Sequence, residues 1–162
     1  MPSPIRTSVH GRQHGYVVTW LSSYCLRHAG LEVVPTPTVR LDPDNTVEPD
    51  LVLRKLDGGT SNEASDGYLD GPPELVVEIA ASSRSRDLHD KLNAYRRNGV
   101  REYIVWRTED GAIDWFELVE GAYQRREPGA AGIIESVQFP GLRLDVPAIL
   151  AGDLAKVAAA LG

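Results

Sequence analysis

The sequence predicts a single α/β domain in which a mixed β-sheet is flanked by helices. Three observations predict it. A helical apolar stripe precedes a run of short β-type segments, a second helical segment interrupts that run, and Glu74-Leu75-Val76-Val77-Glu78-Ile79-Ala80 is apolar enough for a central strand covered on both faces. A length of 162 residues suits one domain. No internal repeat, low-complexity tract or long linker divides the chain.

Each element has its own signal. From Gly11 to Gly30 the apolar residues Val17, Trp20, Leu21 and Tyr24 recur at helical spacing, so this stretch reads as an amphipathic helix stopped by Gly30. Short β segments follow at Leu31–Val34 and Thr36–Leu41, where Pro35 and Pro37 mark an edge or a bend. Asp42-Pro43-Asp44-Asn45 is turn chemistry, and Pro49 to Arg54 reads as the next strand. Residues 57–73 are rich in Gly, Ser, Asp and Asn without periodicity, which predicts a long surface loop, functional or disordered. After the strand at 74–80, Ser82, Ser83 and Ser85 offer N-caps for a helix from Arg86 to Asn98, stopped by Gly99. Leu88, Leu92 and Tyr95 form its core face. Tyr103–Trp106 and Ile113–Val119 are further strands, and Glu120-Gly121 turns the second into Ala122–Arg126 as a hairpin. β character continues over 133–145, and Val146 to Leu161 reads as a last helix with Pro147 in its first turn.

Composition narrows the classes. At 42% hydrophobic and 25% charged residues, disorder, collagen and coiled coil are excluded. No apolar run approaches the ~20 residues of a membrane-spanning helix, so no membrane partner is expected. Met1-Pro2-Ser3-Pro4-Ile5-Arg6 lacks the apolar core of a signal peptide, and the lone Cys25 has no partner for an internal disulfide. Both suit a reducing cytoplasm. Seventeen Lys and Arg against 23 Asp and Glu give a net charge of −6, which argues against tight sequence-independent binding to phosphate backbones. A local basic face remains compatible with that total.

The chemistry concentrates around two acids expected on strands, Asp50 after Pro49 and Glu78 in the central segment. Side chains alternate along a strand, so Glu78 shares a face with Val76 and Ala80, opposite Leu75, Val77 and Ile79. A carboxylate inside an apolar strand is costly unless it is paired or binds a cation. Two such acids on one sheet make a hard-oxygen site of the kind Mg²⁺ prefers. Glu48 points the same way as Asp50. Lys91, on the helix that follows, is placed to neutralise charge or orient water, and Asp87 lies one turn before it. A plainer reading is also compatible, and spacing alone favours it. Asp50 then closes a turn, Glu78 pairs with an arginine such as Arg101, and Asp87 and Lys91 form a solvated helical pair.

Taken together, Pro49-Asp50-Leu51-Val52-Leu53, Glu74 to Ile79, and Ser83 through Arg86-Asp87 to Lys91, Tyr95, Gly99-Val100 and Glu102-Tyr103 resemble the Uma-type family of putative restriction endonucleases, within the PD-(D/E)XK nuclease superfamily. The resemblance runs from about His14 to Phe139-Pro140-Gly141-Leu142. It implies a restriction-endonuclease-like mixed β-sheet flanked by helices over residues 1–162, and Mg²⁺-dependent hydrolysis of DNA phosphodiesters, with Mn²⁺ as a substitute ion. By the same resemblance Asp50 and Glu78 are the metal ligands and, with Lys91, the catalytic residues. Ala80 stands where the superfamily has a strand lysine, and the Uma-type arrangement puts the lysine on the helix instead. The segment 1–13 is expected to be disordered or to hold a shortened N-terminal element. Ala80, that short segment and the acidic total also define the alternative, a catalytically inactive binding or assembly module on the same fold. Double-strand cleavage needs two active centres, so a homodimer is expected.

The remaining candidates read as follows. His14 at the first helix serves as an auxiliary base or metal-water ligand, or is simply a half-exposed histidine, the plainer reading being favoured. His10, His28 and His89 have no zinc spacing. Cys25 is expected as a buried small hydrophobe, and Trp106 and Trp115 as core. Arg84, Arg86, Arg96, Arg97 and Arg101 surround the second helix, as phosphate contacts or as a solvated face.

Overall fold

The computed structural model of the protein describes residues 10–82 and 86–162, with the backbone alone at 86 and 87. In chain order the described elements are α1 (Arg12–Cys25), β1 (Leu31–Pro35), β2 (Val39–Asp42), β3 (Asn45–Val47), β4 (Leu51–Lys55), β5 (Asn62–Glu63), β6 (Leu69–Asp70) and β7 (Leu75–Ala80). There follow α2 (Arg86–Arg97), β8 (Glu102–Arg107), β9 (Ala112–Val119), β10 (Ala122–Arg126), β11 (Ile133–Glu135), β12 (Arg143–Asp145), α3 (Val146–Ala151) and α4 (Leu154–Ala159).

A six-stranded sheet in the order β1-β4-β7-β8-β9-β10 is the backbone of the domain. Its strands pair antiparallel except β7 and β8, which α2 connects as a parallel pair. β7 is therefore central and buried on both faces. Its residues Leu75, Val77 and Ile79 join a core with Val17, Trp20, Leu21 and Tyr24 of α1 and with α3 and α4. Val76 joins the opposite core with Ala94 and Tyr95 of α2 and with Val39, Leu41 and Leu69. Those last three belong to a second, four-stranded sheet, β3-β2-β6-β5. The expected mixed sheet with helical cover is thus present, as one domain.

Several boundaries differ from the sequence expectation, each for a local reason. α1 ends at Cys25, and Gly30 instead turns the chain into β1 at φ +81°. The expected last helix is two, because Gly152 leaves α3 in the left-handed conformation and the Asp153 side chain caps α4 at the Lys156 N–H. The stretch 57–73 is not wholly irregular: β5 and β6 lie in it. Buried Glu74 tethers it by accepting the N–H groups of Lys55 and Thr60 at 3.1 and 3.0 Å. A Cβ on Gly59 would run into the Lys55 main-chain carbonyl and sit 2.7 Å from that carboxylate, so this anchor needs glycine there. β4 begins at Leu51, leaving Asp50 one residue before the strand. Of the segment 1–13, residues 1–9 lie outside the described residues, while Arg12 and Gln13 open α1. The proposed caps Ser83 and Ser85 also lie outside the described residues, as do Arg84 and the side chains of Arg86 and Asp87.

Trp106 and Trp115 are core residues as expected. Cys25 is half-buried against that core, and burial raises its thiol pKa.

Candidate active site

The alternation of β7 turns Glu78 to the α2 side of the sheet, with Val76 and away from Leu75, Val77 and Ile79. Antiparallel pairing of Leu51 with Val77 brings Asp50 level with Glu78 on the neighbouring strand's approach. α2 then crosses above them. Its C-terminus is closed by a Schellman arrangement in which Gly99, at φ +82°, donates to the Arg96 carbonyl and Val100 donates to that of Tyr95. This fixes the last turns of the helix, and Lys91 and Tyr95, one turn apart, face Glu78 together.

Glu78 is 4% exposed. The Tyr95 hydroxyl donates to its Oε1 at 2.7 Å, and Lys91 Nζ lies 3.4 Å from Oε1 and 3.5 Å from Oε2. Burial pushes the Glu78 pKa up to about 7, against the opposing pull of Lys91 and of the Tyr95 hydrogen bond, while Asp50 adds to the rise. Burial and the neighbouring Glu78 in turn push the Tyr95 phenol well above its ordinary value. Arg101, an expected alternative partner of Glu78, is exposed, and the contacts of Glu78 are to α2 instead.

Asp50 is held from four directions. Its Oδ2 accepts the main-chain N–H of Ile79 at 2.7 Å and its Oδ1 accepts His10 Nε2 at 2.8 Å. Its main-chain carbonyl accepts the N–H of Thr36 at 2.8 Å and His14 Nε2 at 3.3 Å. Thr36 makes that contact at φ +51°, a conformation costly for a β-branched residue. The backbone at Asp50 is thus tightly specified.

Asp50, Glu78 and Lys91 line one cleft of about 550 Å³, together with His10, Glu48 and Ser82. All three residues singled out in the sequence therefore meet. Glu48 is exposed at its rim. His14 reaches the main chain of Asp50 and not its carboxylate. Two contributors were not assigned to the site from the sequence: His10, and Tyr95, which entered there only as a core-face residue and as part of the family resemblance. The signal for His10 was its spacing of one helical turn from His14, and the two rings stack with centroids 5.8 Å apart. The signal for Tyr95 was the same spacing from Lys91, hidden because an aromatic on the core face of a helix needs no further reason to be there. Among the described residues no group of three or more His, Cys, Asp or Glu side chains gathers as a ready-made metal cage.

A mixed sheet with a buried acid on its central strand, a second acid beside it and a helical lysine above is the frame of a restriction-endonuclease-like domain. The sequence model of the Uma2 family, described as "Putative restriction endonuclease", matches residues 1–147, and the chain belongs to that family. Among solved structures, the fold is similar to that of a putative nuclease belonging to DUF820 from Anabaena variabilis ATCC 29413, with a TM-score of 0.71 over 93% of this chain and 85% of that one. The two sequences are 10% identical, so the likeness is one of fold. No curated protein matches the chain. Among the described residues no helix is long and apolar enough to cross a membrane.

Proposed function

We propose that this protein is a metal-dependent endonuclease of the PD-(D/E)XK type that hydrolyses DNA phosphodiester bonds. The observation that carries the reading is the meeting of Asp50, Glu78 and Lys91 in one cleft, with Asp50 bonded to the residue that follows Glu78.

The residues fit a hard divalent ion such as Mg²⁺, with Mn²⁺ as a substitute. The donors are carboxylate oxygens, and a carboxylate offers about four lone-pair directions, of which Asp50 uses two on N–H donors. Mg²⁺ is usually held by one or two carboxylates, with waters and substrate phosphate completing its shell, so a pair is sufficient. Asp50 and Glu78 would hold it, and when bound it lowers the pKa of water and polarises a phosphoryl oxygen. Lys91 Nζ, already within 3.5 Å of both Glu78 oxygens, neutralises charge that builds on the phosphate as the P–O bond breaks. Ala80 offers no amine on the strand, and Lys91 takes that part from the helix. This favours catalysis over the rival reading of an inactive binding or assembly module.

Incubation of purified protein with supercoiled plasmid and Mg²⁺, beside Asp50→Ala, tests the function. Nicking by the wild type alone supports it, and none by either protein across metals and substrates favours the inactive module. We further propose a cytoplasmic protein that acts on DNA as a homodimer, and a solution mass equal to one subunit in the presence of DNA would overturn the pairing.

A further inference from the structure

We propose that Tyr95 is a positioning residue that orients Glu78 for the metal ion, an inference that rests on the reading of Glu78 as a ligand. Tyr95 is fully buried, its ring 5.0 Å from that of Tyr103 and surrounded by Val76, Val100 and Val105. Phenylalanine would satisfy such packing. The hydroxyl is the one part of the side chain that the apolar cluster does not use, and it donates at 2.7 Å to Glu78 Oε1. Lys91, one turn earlier on α2, approaches the same carboxylate from the cleft it lines. A glutamate has three rotatable bonds, and its ordering costs entropy that a ligand site must meet beforehand or at the moment of binding. With Oε1 held by Tyr95, the carboxylate plane is set before the cation arrives, which is the usual part of a group hydrogen-bonded to a metal ligand. The helix that supplies the cleft's amine thereby also aims its acid.

Mn²⁺ binding followed by electron paramagnetic resonance tests this without any turnover. Tyr95→Phe should melt within a few degrees of wild type yet bind Mn²⁺ at least about tenfold more weakly, in the range seen when such an outer partner is removed. Tyr123→Phe is the control, since the hydroxyl of this half-buried tyrosine donates to the Val100 carbonyl at 2.8 Å. It should lose stability and keep the Mn²⁺ affinity. Unchanged affinity in Tyr95→Phe overturns the proposal, as does an equal weakening in Tyr123→Phe. A second measurement keeps the native fold: 3-fluorotyrosine at position 95 should show a ¹⁹F shift on addition of Mg²⁺, lost in Glu78→Gln. No shift overturns the proposal. Failure of the wild type to bind Mn²⁺ in a Glu78-dependent way removes the reading beneath it as well, whereas Glu78-dependent binding that ignores Tyr95 removes this inference alone.

Discussion

The carboxylate of Asp50 accepts the main-chain N–H of Ile79 at 2.7 Å. One acid of the cleft is thus bonded to the backbone that carries the other, because Ile79 directly follows Glu78. Strand pairing sets the separation of the two backbones, and the bonds to the Ile79 N–H and from the Tyr95 hydroxyl set the two side chains.

That bond separates two substitutions at position 50. Asp50→Asn keeps a carbonyl oxygen for the Ile79 N–H but removes the charge. It should fold, with a melting temperature within a few degrees of wild type, and lose plasmid nicking by about a hundredfold or more, since even outer-shell losses at metal sites cost 10–100-fold. Asp50→Ala should lose nicking equally, and also about 1–3 kcal/mol of stability from the unpaired buried N–H. Thermal melts beside a nicking time course read both.

His10 donates to the other oxygen of the same carboxylate. His10→Gln retains an N–H donor, whereas His10→Ala does not. Nicking should fall by several-fold to tenfold in the alanine variant and recover in part in the glutamine variant, the contact being half-exposed. Equal activity in both would remove His10 from the site.

Lys91→Met should abolish most nicking while leaving the Mn²⁺ affinity within a few-fold of wild type. The ammonium acts on the phosphate, whereas the ion rests on the two acids. Lys91→Arg should restore little, because a planar fork does not occupy the place of a compact ammonium facing both Glu78 oxygens at 3.4 and 3.5 Å. Loss of metal binding with the lysine would contradict that division of labour.

The metal-free protein should lose stability as pH rises from about 4.5 to about 7. Across that window folded Glu78 retains its proton while the unfolded chain releases it, so the folded state binds more protons and each upward step in pH favours unfolding. Fully protonated Glu78 below the window carries no such penalty. Burial sets the window's upper end, held down by Lys91 and Tyr95 from α2 and raised further by Asp50. The change should be on the order of 1–3 kcal/mol, read from denaturant melts in chelator. Glu78→Gln should flatten this part of the profile, and a slope that persists unchanged would point to other groups.

Glu74→Ala should loosen the start of the 57–73 stretch, around Gly58 to Thr60, without unfolding the main sheet. The lost carboxylate leaves the N–H groups of Lys55 and Thr60 unpaired. Amide exchange should rise around Lys55 and Thr60 and stay slow in β7 and β8, whereas a uniform rise would show that the tether also supports the core.

Elements whose periodicity is local were legible in the order of the residues alone. The stripe Val17, Trp20, Leu21 and Tyr24 is the buried face of α1, and the apolar segment 75–80 is the doubly covered central strand. Alternation alone put Glu78 on the face opposite Leu75, Val77 and Ile79, and that acid, with Asp50 and Lys91, is what the cleft assembles. The remaining features depend on partners distant in sequence. Nothing local says that a tyrosine on the core face of α2 meets a strand acid, or that His10 meets Asp50 across 40 residues. The order within residues 57–73 likewise rests on partners outside that stretch, Glu74 at Thr60, Arg54 at Ser61 and Arg40 at Asp66 and Asp70. Hydrophobic burial follows a repeating pattern that neighbouring residues announce. A hydrogen bond between two side chains exists only where the packed elements bring donor and acceptor within 3 Å, and that distance belongs to the assembled fold.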